Sequence, residues 1–131
     1  MINAIREQLS KIAFLDKDEI VTLHFSLLEE IKKQKANNNQ ENVILLCEKS
    51  IAISSIVMQA MKKRHIEGMD EYSRSTGTLS NNKFYYPNHY ALPILSGIYK
   101  KNGELSKLNE MNDKLLKEGW NTGKEEKLYF L

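Results

Sequence analysis

The chain has 131 residues, 41% hydrophobic and 27% charged, a size and balance that fit one globular domain with a buried core. Nineteen basic and 17 acidic residues nearly cancel at net +2, and the lysines are spread among glutamates, which excludes a strong nucleic-acid-steering field. A single cysteine, Cys47, excludes an internal disulfide framework, and no apolar run reaches the roughly 18 residues of a membrane span, so a cytoplasmic protein is expected.

Ile2, Ile5, Leu9 and Ile12 recur at helical spacing and predict an amphipathic helix over residues 2–14. Its charges at Arg6, Glu7 and Lys11 interrupt any signal-peptide apolar region. Asp16 and Glu19 stand three apart ahead of an apolar run, the spacing of a capping box. As a helix start they outweigh a catalytic carboxylate pair. The helix that follows carries Ile20, Leu23, Leu27 and Ile31 on one stripe with Val21, Phe25 and Leu28 beside it. A face that wide predicts contact from two sides. Lys32, Lys33 and Lys35 then suit the negative end of the helix dipole.

Asn37-Asn38-Asn39 reads as a turn. Val43, Leu46, Cys47, Ser50 and Ile51 give the next helix one inward face, and Ser54-Ser55 interrupts it. A short helix from Ile56 to about Arg64 should follow, with Val57, Ala60 and Met61 inward. Between Ile66 and Tyr86 the glycines, serines and asparagines leave no sustained period. A long irregular loop over residues 66–86 is therefore expected, with Phe84-Tyr85-Tyr86 pinned onto the helices.

Residues 88–120 read as two amphipathic helices joined by Asn102-Gly103. Leu92, Leu95 and Tyr99, with Ile94 and Ile98, form the first buried face, and Pro93 belongs near that helix's first turn. Leu105, Leu108, Met111/Asn112 and Leu115 should face back across the hairpin. Gly119 should end the second helix, Trp120 pack over its end, and residues 124–131 form a last short helix.

Leu92, Leu95, Tyr99, Gly103, Leu105, Leu108 and Leu115 fall in the order of a tetratricopeptide repeat's apolar framework, and residues 88–120 resemble such a hairpin. Ser96, Leu108 and Asn112 depart from the repeat, standing where glycine or alanine, alanine, and an aromatic are usual. A weaker likeness covers residues 21–55, and Ile56–Arg64 would open a middle repeat without a second helix. The whole is similar to small bacterial and phage-type proteins that pair degenerate hairpins. The resemblance implies an all-α array of antiparallel helical hairpins, residues 1–131 as one domain, and a non-enzymatic interaction module for a protein or peptide. An unfinished stack would also leave end faces open to self-association.

Motifs for other chemistry fail on inspection. Gly119–Lys124 has three residues between its glycines where a phosphate loop has four, and Glu125 stands where Ser or Thr should hold magnesium. His24, His65 and His89 lack metal-ligand spacing, with His24 expected at a helix surface or partly buried edge and His65 near a helix end. Cys47 lies on an inner helix face, where a thiol acts as a small hydrophobe. No catalytic residue, metal ligand or cofactor is expected.

Lys32-Lys33 and Lys100-Lys101 each follow the last buried residue of a first helix, Ile31 and Tyr99. In the repeats that the chain resembles, first helices line the concave groove, which implies a site for an acidic peptide segment at Lys32, Lys33, Lys100 and Lys101. Tyr90, Phe25, Tyr85 and Tyr86 would add aromatic contacts. The alternative is a nucleic-acid-associated regulator acting through Lys62-Lys63-Arg64-His65, read as a basic patch at a helix end.

Overall fold

Three consecutive asparagines set the first corner of the molecule. Asn37 caps the C-terminus of one helix, Asn38 turns left-handed at φ 58, and the Asn39 side chain accepts from Asn42 N at 3.3 Å to cap the next. The hydrogen bonds Asn39 N to Gln34 O and Asn38 N to Lys35 O, 3.0 and 3.1 Å, close the turn as a Schellman motif. The computed structural model describes residues 2–77, 84 and 86–121. Among them the chain is all-α: α1 (Ile2–Ser10), α2 (Lys17–Ala36), α3 (Gln40–Ala52), α4 (Ser54–Thr76), α5 (Ala91–Lys101) and α6 (Leu105–Glu118).

The expected helix over residues 2–14 stops at Ser10 and passes into a single 3-10 turn, Ile12–Phe14. Ser10 Oγ donates to the Glu7 carbonyl at 2.7 Å, a local bond that competes with the helical ladder. The capping box forms as expected: Asp16 Oδ1 accepts from Glu19 N at 2.8 Å, and Glu19 Oε1 accepts from Asp16 N at 3.2 Å. α2 buries Ile20, Val21, Leu23, Leu27 and Ile31, and also His24 and Glu30. Its broad face meets α1, α3 and α4. Phe25, expected beside the stripe, is 50% exposed.

α3 buries Val43, Leu46, Cys47, Ser50 and Ile51. The chain then bends by 55° at Ile53 into α4. Here the structure corrects the expected loop over 66–86. α4 runs on to Thr76 and ends at Gly77 with φ 68. Past Ala60 it buries no residue, so no apolar stripe announces it. Ion pairs of Lys17 with Glu67 at 2.8 Å and Arg64 with Asp18 at 3.2 Å hold its middle to the start of α2. His65 therefore sits inside a helix, not near its end. Beyond α4, Phe84 lies edge-on to His65 and to Tyr86, so the described end of the former loop is pinned as expected.

α5 begins at Ala91 with Pro93 in its first turn and buries Ala91, Leu92, Leu95 and Tyr99. Gly103, at φ 74, closes the second hairpin with Glu104 N bonded to Tyr99 O at 2.9 Å. α6 buries Leu108 and Leu115, whereas Leu105 is 56% exposed because it occupies the first position of the helix, before the inward face develops. Gly119, at φ 98, ends α6, and Trp120 is wholly buried against that end. The helix expected over 124–131 lies outside the described residues. α2 packs on α3 and α4, α3 on α5, α5 on α6, and α6 back on α4, closing a circuit around the core. No single helix among the described residues is long and apolar enough to cross a membrane.

Candidate functional site

Where α3 meets α5, the α2–α3 corner stands clear of α5 and leaves an open groove of about 760 Å³. Lys35, Asn38, Asn39 and Gln40 form one wall, Val43, Ile94 and Ile98 supply apolar surface, and Pro93, Gly97 and Lys101 line the α5 side. A Cβ built at Gly97 would meet nothing within 4 Å, so core packing does not demand a glycine there. Its absent side chain widens the groove. A volume of this size with a few placed polar groups matches small-ligand and peptide sites. The carboxamides can pair with an extended backbone, and the two ammonium groups with carboxylates.

Of the five residues expected to bind a partner, Lys101 lines this groove. Lys32 lies on the exposed face of α2, 3.6 Å from Glu29, and Lys33 and Lys100 are exposed outside the lining. Tyr90 points inward. Ser50 Oγ donates to its hydroxyl at 2.8 Å, and that hydroxyl donates to the His24 carbonyl at 2.7 Å. Lys35 was missed although it belongs to the same lysine run as Lys32 and Lys33. Its facing depends on the α2–α3 corner, which brings the last lysine of α2 to the groove. Three of the four residues of the expected basic patch engage their own chain, Arg64 with Asp18, Lys62 over the Tyr86 ring at 5.1 Å and His65 against Phe84, while Lys63 is exposed.

Behind the start of α5 lies a second, buried constellation. His24, expected at a surface or edge, is 2% exposed, as is His89. Their ring centroids are 5.6 Å apart, with Trp120 4.7 Å from His89 and Tyr90 4.7 Å from His24. The sequence carried no sign of this, since α2 supplies His24, the segment before α5 supplies His89 and Tyr90, and the end of α6 supplies Trp120. Burial pushes His24 down to about 4. Burial, with His24 and Lys114 nearby, pushes His89 down to about 3, although the Ser50 backbone opposes the shift. His24 Nδ1 and His89 Nε2 make no hydrogen bond of ordinary geometry. Among the described residues no three His, Cys, Asp or Glu side chains converge on a metal site. Cys47 is buried, and burial raises its thiol to about 12, which removes thiolate reactivity.

Beside the rings, Lys114 Nζ donates to the Ile51 carbonyl at 2.9 Å, to Ser54 Oγ at 2.7 Å and to Glu118. Ser54 Oγ also lies 2.6 Å from the Ile51 carbonyl, and Trp120 Nε1 donates to Glu118 at 3.2 Å. A serine beside a lysine suggests a nucleophile, but Ser54 is completely buried. The network instead satisfies the carbonyl left open where α3 breaks into α4, and ties that break to α6.

No family model, curated protein or solved structure matches the chain.

Proposed function

We propose that the protein is a non-enzymatic interaction module that receives an acidic peptide segment in the groove between the α2–α3 corner and α5. The observation that carries this reading is the placing of Lys35 and Lys101 on one groove with apolar surface from Val43, Ile94 and Ile98. Paired cations over an apolar floor select a peptide in which a carboxylate neighbours a small hydrophobic side chain. The tetratricopeptide resemblance supports the reading through its two hairpins, α2–α3 and α5–α6, each closed by a left-handed turn residue. The groove nonetheless differs from the one that the resemblance implies, because α3, a second helix, contributes to it.

The test is a displayed random-peptide library panned on the full chain. Enriched sequences should contain Asp or Glu beside small apolar residues. They should lose at least tenfold in affinity against Lys35→Ala/Lys101→Ala and against Gly97→Leu, which fills the groove without entering the core. Enrichment of neutral or basic sequences, or equal binding to Gly97→Leu, would remove the groove from the account.

A further inference from the structure

We propose that His24 and His89 form a proton-operated latch on the start of α5, which opens when either imidazole is charged and releases the first turn of α5 from the interior. The latch is a regulation of the groove, and in that last step it rests on the reading above, because α5 carries Pro93, Ile94, Gly97 and Lys101.

The geometry begins with one atom. His89 Nδ1 accepts the Ala91 N–H at 3.2 Å, so its lone pair caps the first residue of α5 and the neutral ring holds its proton on Nε2. An added proton can go only to Nδ1. There it replaces an acceptor with a donor facing a donor, at the positive end of a helix dipole. The Ala91 N–H is then left buried without its acceptor.

The Ser50 main chain favours a charged His89 but is outweighed by burial, and no side chain around the pair offers compensation. From α2 comes His24, whose Nδ1 makes no hydrogen bond. From α3 come the Ser50 hydroxyl, which donates to Tyr90, and the Cys47 thiol, buried and neutral. Tyr90 stacks on His89 at 5.2 Å and carries a hydroxyl already bonded on both sides. From α4 comes Ser54, and from α6 come Lys114, a second cation, and Glu118. Glu118 is the carboxylate of this network, and it already accepts from Lys114 and Trp120. A charged imidazole reaches water only by moving out, and Tyr90 moves with it. Tyr90 immediately precedes α5, so its departure frays the helix from Ala91.

The experiment is amide hydrogen exchange on the full chain from pH 6.5 to 4.5, with rates corrected for the intrinsic pH dependence. The expected result is that the amides of Ala91, Leu92, Ile94 and Leu95 open with a smaller free energy than those in the middle of α2, and that their protection falls about tenfold per pH unit for each histidine charged on opening. His89→Asn retains a side-chain oxygen for the Ala91 N–H but takes no proton, and it should reduce the slope. Flat protection at these four amides, an opening free energy there equal to that in the middle of α2, or an unchanged slope in a folded His89→Asn variant would each overturn the latch. Should that variant fail to fold, the wild-type slope at these amides and their opening free energy relative to α2 still decide the matter. No peptide enters the measurement, so its failure is separate from failure of the groove.

Discussion

Tyr90 and Ser50 are joined hydroxyl to hydroxyl at 2.8 Å, and through the Tyr90 proton the bond continues to the main chain of α2 at His24. One phenol thereby links α2, α3 and the start of α5. Removing its oxygen in Tyr90→Phe leaves the fully buried Ser50 hydroxyl without its acceptor. The expected loss is about 1–3 kcal/mol, read from urea denaturation. Restoring balance with Ser50→Ala in the same chain should recover part of it, because both partners are then apolar.

Lys114 holds the α3–α4 break to α6. Lys114→Met withdraws donors from the Ile51 carbonyl, from Ser54 and from Glu118, whose side chain is 13% exposed. The expected destabilisation is about 1.5–3 kcal/mol, toward the lower end because 38% of the Lys114 side chain is exposed to water. Thermal unfolding checks it, and Glu118→Gln should be milder because an amide still accepts from Trp120.

Two glycines at helix ends separate backbone strain from crowding. Gly103 has φ 74 with open space around it, and Gly119 has φ 98 with Tyr86 ring carbons 2.9 Å from where a Cβ would stand. Gly103→Ala should cost about 1 kcal/mol through the left-handed conformation alone. Gly119→Ala should cost more and displace Tyr86, which Lys62 covers. Comparison of the two by denaturation gives the difference, and a smaller cost at Gly119 would contradict this packing.

Acid should weaken the fold through the buried histidines. Their folded pKa values, about 4 for His24 and about 3 for His89, lie below the ordinary 6.5. The folded state therefore holds fewer protons than the unfolded chain between pH 6.5 and about 4. Stability is complete above pH 6.5 and falls by about 1.4 kcal/mol per pH unit per histidine as pH drops through that window. Emission of Trp120, the one tryptophan, follows it directly in denaturant titrations at several pH values.

Local chemistry was legible in the sequence. The Asp16–Glu19 capping box, the Asn37–Asn39 corner, the inner face of α3 and the stops at Gly103 and Gly119 all formed as their spacing predicts, because each rests on neighbours within a few residues. The distal half of α4 was not legible, since a helix without a buried stripe leaves no periodic trace. Of the two lysines that line the groove, the sequence singles out Lys101 and not Lys35, for the groove needs the packing of α3 on α5. Tyr90 shows the same gap: its residue type fits a binding aromatic, but its place one residue ahead of α5 turns its hydroxyl into the core.

The circuit of helix contacts has a consequence for how the chain can be divided. A cut in the connection between α4 and α5 separates two hairpin-bearing pieces, α1–α4 and α5–α6. Across such a cut the pieces still face each other along two seams, α3 with α5 and α4 with α6. Co-expressed halves should thus find one another and rebuild the groove, one supplying Lys35 and the other Lys101, so that binding reports their reunion.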